Sequence, residues 1–193
     1  MVSYYLYKIW NLISLKNIYY KMVLGRCESG LIMRRGTSIR NPQYVNIGKN
    51  VVIDRYTTLC CNKIGDKQPV LTIGDGVSIG EFSSIGCSNQ ITIEENVMFA
   101  PHVHITDRNH LYEDISLPIS RQAAVSPGPI LIGAGSWLGH SVQVMPNVTI
   151  GKHSVIAAGA ILTKDIPDYS IAAGIPARVI KKYDIKEKKW IKI

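Results

Sequence analysis

From the middle of the chain onwards, aliphatic residues return at every sixth position: Ile132, Leu138, Val144, Ile150, Ile156 and Leu162. Four positions after each comes a small or β-branched residue, in the series Ser136, Val142, Val148, Ser154 and Ala160. Earlier runs follow the same rule: Ile47, Ile53, Leu59, then Ile73, Ile79, Ile85, then Ile93, Phe99, Ile105 after a slip of two residues. A period of six fits neither the 3.6 of a helix nor plain strand alternation, but it suits short strands that turn a corner every six residues. Three such strands close one triangular coil, and the sixth-position aliphatics of successive coils stack inside. Small residues such as Gly133, Gly139, Gly151 and Ala157 stand beside the aliphatic row, where φ can turn positive and neighbouring coils approach closely. The pattern therefore predicts an all-β fold, a parallel β-helix built from hexapeptide repeats.

A solenoid buries its apolar row only by stacking coil upon coil, so its ends need covers. Residues 3–24 are predicted to form an amphipathic helix at one end and residues 178–193 a short basic helix at the other. The predicted organisation is an N-terminal helical cap over 1–44, a β-helix over 45–177 and a basic helical tail over 178–193. Residues 107–129 break the six-residue register and are predicted to be an inserted loop; such excursions from a regular solenoid are usually functional.

Composition sharpens this picture. Sixteen glycines, nine prolines and only two phenylalanines suit a chain that turns often and fills its interior with aliphatic groups. The net charge of +8 points to an acidic partner. Lys8, Lys16, Lys21 and Arg26 precede the first acid, Glu28, and seven basic residues crowd the stretch from Arg178 to Lys192. They form no recognised nucleic-acid module. Cys27, Cys60, Cys61 and Cys87 make no metal clamp and read as reduced thiols, so a cytoplasmic protein without a bound metal is expected. No apolar run is long enough to span a bilayer. The tyrosines and Trp10 among the N-terminal lysines would suit peripheral contact of residues 3–24 with the inner face of a membrane, or an end cap.

The stretch Ile130–Lys182, with its SWLG corner, its NVTIG and TKDIP steps and its closing AAGIPARVI, resembles the C-terminal half of bacterial hexapeptide-repeat acetyltransferases. Galactoside and maltose acetyltransferases and the O-acetyltransferases of lipopolysaccharide and capsule synthesis belong to that family. With the upstream repeats and the segment HITDRNH, the resemblance covers about three quarters of the chain. It implies a left-handed coil, a homotrimer with active sites between subunits, acetyl-CoA as co-substrate and a sugar or lipid-linked sugar acceptor in polysaccharide biosynthesis. The active-site histidine of the family follows the APxVxI step, the place of His110 in APHVHITDRNH. His110 is the expected general base, with Asp107, Asn109 or Glu113 as candidates to orient its ring. Glu81, Ser83, His102 and His104 are acceptor-site candidates. By resemblance the CoA arm lies along Trp137, Gly139, His140, Ala157, Ala158 and Gly159, and its phosphates meet Thr163, Lys164, Arg178 and Lys181. Galactoside enzymes hold their acceptor partly through an asparagine at the position of Gly80, so a different acceptor is expected here.

Histidine suits the base because its ordinary pKa lies near neutrality. No serine or cysteine nucleophile motif is present, so direct attack by the acceptor is expected. Three readings stay open beside O-acetylation. An amine acceptor is one. A zinc enzyme of the γ-carbonic-anhydrase kind is another; it needs three histidines at family spacing, and His104 and His110 are present but the G-H-x5-H-G-type segment is not. A β-helix without catalysis is the third, which would lack both the inserted loop and TKDIP.

Overall fold

The computed structural model describes residues 15–193, and the predicted helix over 3–24 is seen in part, as α1 (Leu15–Val23). The rest of that segment, with its tyrosines and Trp10, lies outside the described residues. Leu24 and Tyr20 turn inward, and the Tyr20 hydroxyl accepts the Ile39 amide at 3.3 Å, so the helix closes the first coil.

Behind α1 the chain winds into the left-handed parallel β-helix, a prism with three faces. The first and third faces are six-stranded sheets and the second has nine strands. Equivalent aliphatics stack in register. On the first face Ile47, Ile73, Ile93, Ile132 and Ile150 lie one above another. Ile53, Ile79, Phe99, Leu138 and Ile156 do so on the second, and Ile39, Leu59, Ile85, Ile105, Val144 and Leu162 on the third. Nearly all are sealed from solvent. Each buried side chain of this size contributes about 1.5–3 kcal/mol.

The small residues of the repeat point inward at the corners, where hydroxyls satisfy carbonyls of the next coil. Thr57 donates to the Gly80 carbonyl at 3.1 Å, Ser136 to Gly151 at 2.9 Å and Ser154 to Pro167 at 3.0 Å. Glycine is not the general solution at the corner between the second and third faces. Tyr56, Phe82 and His102 take the positive-φ position there, and their rings stack with that of His140 in one column at 5.1 Å spacing. Ring stacking offsets the left-handed backbone strain of about 1–2 kcal/mol per residue.

Two boundaries differ from expectation. A coil forms at Arg26–Cys27, Ile32–Met33 and Ser38–Arg40, inside the segment predicted as a cap. Its interior positions include Met33 and Thr37, which blur the aliphatic rhythm. The predicted basic helix over 178–193 is instead a strand pair, Ala177–Asp184 with Lys189–Lys192, laid antiparallel on Ser170–Gly174. The free edge of the last coil recruits the chain as a strand, and Val179, Ile180, Tyr183, Trp190 and Ile191 have the β-branched and aromatic shapes that suit one.

The inserted loop leaves the third face after His104–Thr106 and returns at Ile130 without interrupting the stack, since Ile93 pairs directly with Ile132. It carries its own antiparallel pair, with Asn109 opposite Val125 and His110 opposite Ala124.

Candidate active site

The third face and the base of the loop enclose an open cleft of about 360 Å³. Strand alternation builds it: the side chains next to the buried Leu59, Ile85 and Ile105 point outward, so Thr58, Cys60, Ser84, His104 and Thr106 make the floor. The loop adds Arg108, Asn109 and His110 as a wall. His110 is exposed on its short strand and faces this space outside the aliphatic core.

His104 sits in the same cleft, and its Nδ1 lies 2.6 Å from the Ser84 Oγ. The surrounding protein desolvates the ring and holds its pKa below the usual 6.5, which favours the neutral imidazole. None of the cleft-lining side chains is a carboxylate. Among the described residues no group of three histidine, cysteine or acidic side chains is placed to hold a metal ion.

The three residues considered as orienters of His110 are occupied with backbone amides. Asp107 is completely buried, and its two oxygens accept the Ser88 amide at 2.7 Å and the Asn89 amide at 2.8 Å. It fastens the root of the loop to the neighbouring coil. The Asn109 side chain accepts the amide of His110 itself at 2.9 Å, and Glu113 accepts that of Tyr112 at 3.0 Å.

The acceptor candidates separate likewise. Ser83 is buried and accepts the Val103 amide at 3.2 Å, a corner fastening outside the cleft. Its neighbour Ser84 is the cleft residue, and the repeat register carries the signal for it, because the position before the core residue Ile85 must face outward. Glu81 pairs loosely with Arg55 at 3.8 Å on an exposed corner, and His102 belongs to the ring column between Phe82 and His140. Thr58, Cys60 and Thr106 on the floor, with Arg108 on the wall, are further cleft residues that motif reading missed.

Most of the residues considered for CoA gather on the second face and on the corner between the second and third faces, and Thr163 and Lys164 lie beyond the third face. Trp137 is exposed on the second face. Gly139 to Ser141 and Ala157 to Gly159 are stacked corners joined by the Gly159 amide, which donates to the His140 carbonyl at 2.8 Å. Gly139 is closed in, since a Cβ there would stand 2.7 Å from the Ala158 nitrogen and 2.8 Å from the Ile156 oxygen. Gly159 is the reverse case, with φ of 71° and open space where a side chain would be. Exposed Thr163 and Lys164 follow the last strand of the third face, and exposed Arg178 and Lys181 lie on the strand Ala177–Asp184.

Comparison with known proteins agrees with this architecture. The family described as "Bacterial transferase hexapeptide (six repeats)" matches residues 129–164. A galactoside O-acetyltransferase of Escherichia coli K12 is 39% identical over 156 residues, 78% of this chain and 75% of that protein. An Escherichia coli K12 protein named for O-acetyl transfer in lipopolysaccharide biosynthesis, WbbJ, is 30% identical over 167 residues, 83% of each chain. A Mycobacterium tuberculosis protein named as an acetyltransferase is 38% identical over 61% of this chain, which spans 41% of that protein's length. The fold is shared with AntD, an N-acyltransferase from Bacillus cereus solved with dTDP and 3-hydroxybutyryl-CoA, at a TM-score of 0.75 and 19% identity, covering 92% of this chain and 93% of that one. The chain belongs to the hexapeptide-repeat acetyltransferases.

Proposed function

We propose that the protein transfers an acetyl group from acetyl-CoA to a hydroxyl of a sugar or of a lipid-linked sugar precursor, with His110 as general base. The observation that carries the proposal is the cleft on the third face, where His110 projects from the inserted loop over a floor of hydroxyls, a thiol and a second histidine. Acetyl-CoA supplies an activated acyl group. The His110 imidazole takes the proton of the acceptor hydroxyl as its oxygen attacks the thioester carbonyl, and returns that proton to the departing sulfur. Holding both partners side by side removes most of the entropic barrier.

Hydroxyl transfer is preferred here to amine transfer: the part of the cleft that one chain supplies offers hydroxyls and imidazoles and no carboxylate to hold an ammonium acceptor. The two Escherichia coli relatives are both named for O-acetyl transfer, which supports the same reading. The corner from Ala157 to Gly159, open to solvent and free of side-chain bulk, suits a thin pantetheine arm. Lys164, Arg178 and Lys181 are the cations available to its phosphates. Arg178 and Lys181 lie on the second face while His110 stands over the third, so these two cations and the base occupy different sides of one prism. That arrangement favours an active site assembled between copies, and a trimer is the proposed state.

The test is His110→Ala, assayed by thiol release from acetyl-CoA with a panel of sugar acceptors. The side chain is exposed, so folding and CoA binding should persist while turnover falls by about two to four orders of magnitude. Retention of more than about a tenth of parental turnover would remove His110 from the role of base.

A further inference from the structure

The hairpin Ala177–Asp184 with Lys189–Lys192 extends the second face beyond the other two, so that face has nine strands against six and six. Residues 180–193 carry six lysines against two carboxylates. Apolar groups are interleaved with them in the open: Ile185 is 69% exposed and Ile193 65%, while Trp190 and Ile191 are each 39% exposed. Exposed apolar groups of this size on so short a segment are costly in water unless something covers them.

Pairing adds a second observation. Lys181 stands directly opposite Lys192, and Tyr183 directly opposite Trp190. Like charges facing one another across a strand pair repel, and an anion between them converts the repulsion into attraction. Tyr183 and Trp190 pack edge to face at 5.3 Å, and with Ile185, Tyr169 and His153 they wall an open hollow of about 400 Å³. Aromatic and aliphatic groups rimmed by lysines match the boundary between headgroups and acyl chains in an anionic leaflet.

We propose that this hairpin seats the protein on a bilayer surface carrying anionic lipid headgroups. Lys182, Lys186, Lys188, Lys189 and Lys192, the lysines not assigned to CoA, neutralise lipid phosphates, and Ile185, Trp190, Ile191 and Ile193 enter the interfacial layer. This seat lies at the opposite end of the prism from α1. Eight strand spacings of about 4.8 Å separate the outermost strands of the nine-stranded second face, roughly 40 Å. A bilayer that lies across one end of the prism engages the hairpin or α1, not both.

Full-length protein is sedimented with vesicles of phosphatidylcholine alone and of phosphatidylcholine mixed with phosphatidylglycerol, at low and at high salt. Binding is expected only with phosphatidylglycerol and should weaken as salt screens the lysines. Joint replacement K186Q, K188Q and K189Q should lower the partition coefficient by about tenfold or more. Ile185→Ser, at an exposed turn with no core contact to lose, should lower it while leaving the thermal unfolding curve in place; Trp190→Ser is the stronger companion. Equal binding to both vesicle types, no binding to either, or parental binding by the hairpin variants would each overturn the proposal. So would loss of binding in Tyr19→Ser or Met22→Ser on α1 with the hairpin variants unaffected. A change of oligomeric mass in the hairpin variants without a change in vesicle binding would reassign the surface to contacts between copies.

Discussion

Asp107→Asn separates two roles that a carboxylate beside an active-site loop can have. The parent side chain is completely buried and holds the Ser88 and Asn89 amides at 2.7 and 2.8 Å, one on each oxygen. An asparagine keeps one acceptor and turns an NH₂ group towards the other amide, leaving a buried N–H without an acceptor. A hydrogen bond to a charged group is worth about 1.5–3 kcal/mol, and an orphaned buried donor adds about 1–3 kcal/mol of unmet desolvation. Because these two quantities partly describe the same loss, the expected destabilisation is about 2–4 kcal/mol. Urea unfolding measures it. Trypsin gives a local readout at Arg108 and Arg121, both exposed on the loop, where cleavage should quicken in the variant. His110 follows three residues after the anchor, so acetyl transfer should fall as well. A variant within about 0.5 kcal/mol of the parent, with unchanged proteolysis, would refute the anchoring role. Unchanged stability with a displaced pH–rate profile would return the carboxylate to the service of His110.

Gly139→Ala should destabilise by about 1–3 kcal/mol, because its Cβ meets backbone atoms of the next coil at 2.7 and 2.8 Å and neither can swing aside; the thermal midpoint reports this. His104 has a depressed pKa, so below its ordinary value near 6.5 the unfolded chain binds a proton that the folded one resists. Stability should therefore drop as pH falls from about 6.5 towards the folded value, and urea titrations at neutral and mildly acidic pH should show a smaller drop in His104→Gln. Lys164→Ala and Arg178→Ala should raise the KM for acetyl-CoA, and an unchanged KM in both would remove them from the phosphate end. Light scattering that shows only monomer at micromolar concentration would reject the proposed trimer.

The fold was legible because its rule is periodic: six-residue spacing identifies the inward rows, and the structure stacks those aliphatics in register. The inserted loop was legible for the same reason, as a failure of the rhythm between Ile105 and Ile130. Chemistry was read less evenly. Motif position leads to His110 and His104, which share the cleft, whereas Ser83 stands out only for its nearness to Gly80 in the sequence, and strand parity turns it inward and Ser84 outward. Asp107 looked available because proximity along the chain says nothing about burial, and its partners come from a coil some twenty residues earlier. The C-terminal hairpin was misread as a helix because its lysine-rich composition hides the decisive influence, the unpaired edge of the last coil. Nothing local announces an edge.

That edge bears on how the molecule avoids its own copies. A stack of parallel strands exposes backbone donors and acceptors at each end, and one coil of a second molecule has the right shape to continue it. α1 blocks the first opening. At the second, the hairpin reverses chain direction, so the outermost strand no longer offers the parallel template that every preceding coil presented, and Lys189 and Lys192 line that outermost strand. On the second face the stack thereby ends in a strand that the next parallel coil of another copy cannot continue.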